Sequence, residues 1–209
     1  MKNGGLKNNA AVSAEAASGV ATAILKFIRR IPGSTERKSR TPVKAARTCA
    51  NAAAAKAALA AGTLALPPGP LGWLTILPEM MAVWKIQSQM VADIAALYGK
   101  KSTLTEEQMV YCLFRHSAAQ AVRDLVVRVG ERVLVRRASL AVLESIARKI
   151  GLKLTQKAIG KGLSRWIPVA GAIGVGAYAW YDTAQVAATA IGLFERDIEV
   201  EAGHDLPAV

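Results

Sequence analysis

Aromatic residues are scarce in this chain, at 5% of 209 positions, although hydrophobic residues as a class reach 52%. The apolar material is therefore mostly Ala, Val, Leu and Ile, which favours helix packed closely on helix over a sheet. Acids are few as well: 15 Asp and Glu face 27 Lys and Arg, a net charge of +12. Such a surface attracts anionic lipid or nucleic acid and repels other cations. The two cysteines, Cys49 and Cys112, lie in helical patterns far apart in the chain. That suits a reduced, cytoplasmic setting and leaves a single disulfide open. Histidine is limited to His116 and His204. His116 reads as a packed or surface residue, and His204–Asp205 lacks the further ligands a metal needs. G-x-S-x-G, P-loop and strand-borne G-x-G-x-x-G motifs are absent. No catalytic residue, metal or cofactor is expected, and the chain reads as non-enzymatic.

Long uninterrupted apolar runs are missing too. Ala57 to Leu66 is ten residues and Ile167 to Tyr181 fifteen, where a bilayer core needs about 20. Extending the second run to Phe194 places Asp182 near its centre, at an insertion cost of about 2.5–3.5 kcal/mol. The first apolar segment, Val20 to Ile31, is broken by Lys26, Arg29 and Arg30 and has no small-residue cleavage site, unlike a secretory signal.

What the chain does have is an internal repeat. Set Trp84 on Trp180, and Leu66–Tyr98 runs in register with the stretch ending at Phe194, without a gap. Gln89 falls on Gln185, Leu97 on Leu193 and Tyr98 on Phe194. Two related apolar helices, or helix hairpins, are the expected centre of an all-α helical bundle.

Three regions are expected around them. Residues 1–41 form a basic N-terminal segment: a short amphipathic helix with Ile24, Phe27, Ile28 and Ile31 on one side, then the linker PGSTERKSRTP. That helix suits either an anionic membrane surface or ordinary docking on the bundle. Residues 42–197 form the helical domain, and residues 198–209 a flexible tail. Within the domain, Thr41–Pro42 predicts the start of an alanine-rich helix, and the Pro67–Pro70 cluster predicts a turn into the first repeat. Gly99 predicts a helix end. Thr105 with Gln108 predicts a capping box, with Met109, Cys112, Leu113 and Ala119 facing inward. Val122, Leu125, Val126 and Val129 continue that inner face as far as a break or bend at Gly130, and the spacing predicts further helices over 131–150 and over 152–166. Glu79, following Pro78, reads as a first-turn carboxylate.

Residues 101–165 hold thirteen Lys and Arg against five acids. Arg115, Arg123, Arg128, Arg132, Arg136 and Arg137 recur at steps that make a basic face if the segment is helical. Aromatics are not interleaved with these cations, so nucleic acid is the weaker partner class.

Trp84, Val91, Ala95 and Tyr98 share a helical stripe, as do Trp180, Ala187, Ile191 and Phe194. Core packing or a groove for an apolar chain are the two readings. Beside the stripes, Gln89 and Asp93 lie one turn apart, and Asp182 and Gln185 are polar on an otherwise apolar helix. Such groups must be hydrogen-bonded or wet. Trp84, Gln89, Asp93, Trp180, Asp182 and Gln185 are the candidate contact residues for a ligand or lipid.

The blocks LPPGPLGWLTILPEMMAVWKIQSQMVADIAALYGK and GKGLSRWIPVAGAIGVGAYAWYDTAQVAATAIGLF resemble the EcsC protein family of bacteria. The resemblance covers roughly Lys44 to Arg196. It implies a helical protein, cytoplasmic or membrane-associated, and it brings no catalytic residues to carry over. The expectation is a cytoplasmic protein peripheral to the inner face of the membrane, meeting anionic lipid through basic faces and apolar hairpins. The alternative is a soluble interaction module with a protein partner, accessory to a transporter or a stress system.

Overall fold

The computed structural model describes residue 19 and residues 21–64, 72–160 and 168–201, with side chains left aside at 64, 72–79, 153–160, 168–172 and 201. The fold is mostly helical. A short helix α1 (21–28) leads through an irregular segment to α2 (Pro42–Leu64), which begins at the proline that predicts it. The turn expected at Pro67–Pro70 lies outside the described residues. α3 (Gly72–Leu97) follows, so Glu79 is two turns inside a helix and not in its first turn. The expected stop at Gly99 is real. Gly99 has φ +76°, its N–H reaches Ala96 O at 2.8 Å and that of Lys100 reaches Ala95 O at 2.7 Å. This pair of bonds satisfies the last carbonyls of the helix.

α4 (Glu106–Phe114) carries the predicted capping box, with Thr105 and Gln108 each bonding the other's backbone N–H. Met109, Cys112 and Leu113 are buried as expected, whereas Ala119 is exposed at the start of the short α5 (Ala119–Val122).

The region that follows departs from the helical expectation. Val126–Val129 (β1) and Arg132–Arg136 (β2) form an antiparallel hairpin, with Val129 opposite Arg132 and Gly130 at φ +62° in the two-residue turn. Five valines and a leucine in these nine strand positions prefer the pleated, half-buried surface of a strand, and glycine supplies the positive φ that a tight hairpin needs. Arg128, Arg132 and Arg136 therefore lie on strands and do not line a helical face.

α6 (Leu140–Gly160) runs unbroken through Gly151, merging two expected helices. α7 (Pro168–Phe194) is the second repeat helix. Residues expected to open a flexible tail are a strand: β3 (Asp197–Glu201) pairs parallel with β2. Its register sets Asp197 opposite Arg132 and Glu201 opposite Arg136, and Arg132 donates to Glu199 at 2.6 Å. Opposite charges across the pair favour this register.

The three long helices α2, α3 and α7 make the centre. Ser39 N–H, just before α2, bonds Leu97 O at the end of α3 at 2.9 Å, so α2 and α3 run antiparallel. α3 and α7 run parallel. Gln87 bonds Asp182 and Thr183, 95 and 96 positions on, and Lys100 Nζ bonds Arg196 O, again 96 positions on. This is the offset of the sequence repeat. The two copies lie side by side in the register that their residues predict.

The same face is buried in both copies. Val83 and Ala179, Met90 and Val186, Val91 and Ala187, Ile94 and Ala190, Leu97 and Leu193 are all core residues. α2 packs against both copies through alanines, with Ala46, Ala50 and Ala53 in the main core and Ala57 and Ala61 beside Val83 and Ala179. Close approach is needed here: a β-carbon at Gly176 would stand 3.0 Å from Ala58 O and 3.9 Å from Gly62 Cα. α1 closes the core from outside. Its Ile24 and Ile28 are fully buried, so the apolar side of this helix is occupied by the bundle.

Candidate functional site

The two copies differ at the aligned tryptophans. Trp84 is 6% exposed, held 6.1 Å from Phe27 of α1 and 5.5 Å, edge-on, from Phe114 of α4. With Val91 and Ala95 it belongs to the core. Trp180 is 44% exposed and points away from that core. Around it on α7, Ile173, Tyr178 and Tyr181 are also exposed, as are Gly174, Ala177, Ala184 and Ala188. They make an uncharged, aromatic outer face. Leu59 of α2, adjacent in sequence to the Ala58 that meets Gly176, is exposed as well.

Opposite this face, between α3 and α7, lies a buried polar layer. Gln87 and Thr183 occupy equivalent positions in the two copies, are both fully buried, and bond at 3.2 Å. Gln87 Nε2 also donates to Asp182 Oδ2 at 2.8 Å. The other carboxylate oxygen meets His116 Nε2 at 2.6 Å, each side chain being 16% exposed. Burial and then the Asp182 charge raise the pKa of Tyr178, one turn earlier. Gln87 Oε1 and His116 Nδ1 are buried without a partner among the described residues. The carboxylate thus spends both oxygens inside the bundle and is turned away from the outer face. What the layer does chemically is fix the two copies against each other and give the one acid of α7 its hydrogen-bond partners.

The other candidate residues go elsewhere. Gln89 is exposed and donates to Asp93 Oδ1 at 2.9 Å within its own helix and to Gly33 O at 3.0 Å. Gln185 is half-buried and its carbonyl accepts from Thr189 Oγ1 at 2.9 Å. Of the six, Asp182 alone joins the interhelical layer, and its partners Gln87 and His116 are not among the six. Gln87 was findable, since it lies one turn from Trp84 on the buried stripe. His116, 66 positions from its partner, gives no local signal. Arg115, beside it, stacks over Tyr111, 5.4 Å from the ring centre.

Exposed positive charge is dense along one stretch of the chain. Arg29, Arg30, Arg37, Lys38, Arg40, Lys44, Arg47 and Lys56 are all exposed, and Glu36 is the single acid between 29 and 56. An open depression of about 400 Å³ lies within this surface, lined by Thr41, Pro42, Val43, Lys44, Arg47, Thr48 and Asn51. The β2 arginines Arg132 and Arg136 are different, because β3 sets three acids along their strand. Among the described residues no three potential ligands gather as a metal would require, and no helix is long and apolar enough to cross a membrane. Cys49 and Cys112 are free thiols.

Fold and site together define a mostly helical bundle built on a tandem helix repeat with a polar layer at the repeat interface. The chain belongs to the EcsC protein family, which it matches over residues 12–196. The match begins ahead of α1, further towards the N-terminus than the two blocks that carry the resemblance. No curated protein and no solved structure matches the chain.

Proposed function

We propose that this EcsC-family chain is a non-enzymatic protein that associates peripherally with the inner, cytoplasmic face of the cell membrane by binding anionic lipid. The observation that carries this reading is the stretch of residues 29–56, with eight exposed cations and one acid. Juxtaposed Lys and Arg each contribute about 1 kcal/mol near an anionic leaflet, so a few of them acting together hold a protein there. Peripheral attachment fits the finding that, among the described residues, no helix is both long and apolar enough to span.

Flotation with anionic and with neutral vesicles, at low and high salt, tests the proposal. The chain should float with anionic vesicles at low salt and be released by high salt. Arg37→Glu with Lys38→Glu and Arg40→Glu should abolish flotation. Equal absence from both vesicle types removes the reading. Capture of an acidic protein from lipid-free cytosol by the same surface, with no flotation, would instead establish a soluble interaction module.

A further inference from the structure

We propose that the outer face of α7 is the element that enters the bilayer, with Trp180, Tyr181 and Tyr178 at the boundary between head groups and acyl chains. This rests on the membrane reading above and names the surface that makes the contact.

The first argument is that the face carries no charge. Asp182 is the sole charged residue of the sequence from 173 to 194, and Gln87 and His116 hold it on the inner side. The polar layer thereby leaves the outer side free of the residue that would oppose insertion. The second is the asymmetry of the repeat. Trp84 is covered by Phe27 and Phe114, whereas Trp180, at the equivalent position, stays 44% exposed. The third is residue type. Trp and Tyr have an apolar ring and a polar end, which suits them to the membrane interface. The fourth is charge complementarity. α2, which packs antiparallel along α7, carries the exposed cations Lys44 and Arg47 in its first two turns, so anionic head groups find counter-charges towards the C-terminal end of α7.

The test uses the full chain with vesicles of phosphatidylcholine, with and without phosphatidylglycerol. Trp180→Ser with Tyr181→Ser should keep the wild-type far-ultraviolet spectrum and lose about tenfold in partition onto the anionic vesicles. Lipids brominated on their acyl chains should quench wild-type tryptophan emission by a component that Trp180→Phe removes. Unchanged partition of the serine variant, with quenching equal in wild type and Trp180→Phe, overturns the inference and leaves attachment by charge alone. Failure of the wild-type chain to bind either vesicle overturns the membrane reading and this inference with it. Light scattering that shows a lipid-free dimer, lost in the serine variant, makes a second copy the occupant and overturns the inference as well.

Discussion

Replacing Asp182 with Ala removes the acceptor shared by two elements. Gln87 then keeps a 3.2 Å bond to Thr183, but His116 keeps no bond at all, its Nδ1 being already unpartnered. A hydrogen bond to a charged group contributes roughly 1.5–3 kcal/mol. The His116–Asp182 pair is 16% exposed on each side, which places its share at the lower end, and Thr183 offsets part of the loss at Gln87. The expected destabilisation of Asp182→Ala is about 3 kcal/mol, a large part of the roughly 5–15 kcal/mol that holds a domain folded. Asp182→Asn, which preserves shape and one acceptor, should cost about 2 kcal/mol. Urea unfolding measures both. With a slope of roughly 2 kcal/mol/M, the alanine midpoint falls by about 1.5 M. The cycle with His116→Ala should show a coupling of about 1–2 kcal/mol. An alanine variant within about 0.5 kcal/mol of wild type, or an additive cycle, refutes the claim that this layer holds the copies together.

Three further outcomes follow from the packing and the charges. Gly176→Leu should destabilise by about 2–4 kcal/mol, because its side chain meets the α2 backbone at Ala58. Gly174→Ala, with open space around it, should stabilise by about 0.5–1 kcal/mol through helix propensity; thermal unfolding of the pair checks the contrast. Burial, followed by the charges of Asp93 and Glu36, pushes the Cys49 thiol up to about 11. Its iodoacetamide rate should therefore still rise steeply between pH 10 and 11, where an ordinary thiol has levelled off. A raised thiol pKa favours the protonated, folded form, so this contribution to stability is complete below about pH 9 and is lost as pH rises through 11. Cys112, fully buried, should react only on unfolding. Glu199→Lys should speed amide exchange across 197–201 and change global stability by less than about 1 kcal/mol, since the Arg132–Glu199 pair is exposed. Arg132→Glu added to it should restore protection.

The long helices were legible because their signals are local. Thr41–Pro42, Gly99 and the Thr105–Gln108 box each act over a few residues, and each is found where it was read. The repeat offset was legible as well, and it turned out to be a spatial register, since aligned residues such as Val83 and Ala179 bury the same face. The hairpin is not legible from the arginine steps, which fit a helical face as well; its signal is the valines on either side of Gly130. β3 was missed because a parallel strand at the end of a chain has no turn to announce it. Its partner β2 is some 65 residues earlier. The polar layer was half legible. Asp182 stood out as an acid on an apolar helix, but which donors would meet it depended on where α4 ends and on Gln87, whose neighbours drew attention to Gln89 instead.

The central claim is that the two copies lie parallel, side by side, offset by 96 positions. Spin labels at Lys85 and Tyr181, both exposed, test it in a chain with Cys49→Ala and Cys112→Ala. Neighbouring helix axes are about 8–10 Å apart, so this pair should be the short one. A label pair at Lys85 and Glu195 should be longer by more than 10 Å, fourteen residues adding roughly 21 Å along the axis. Equal distances for the two pairs, or a shorter distance to Glu195, would contradict the parallel register.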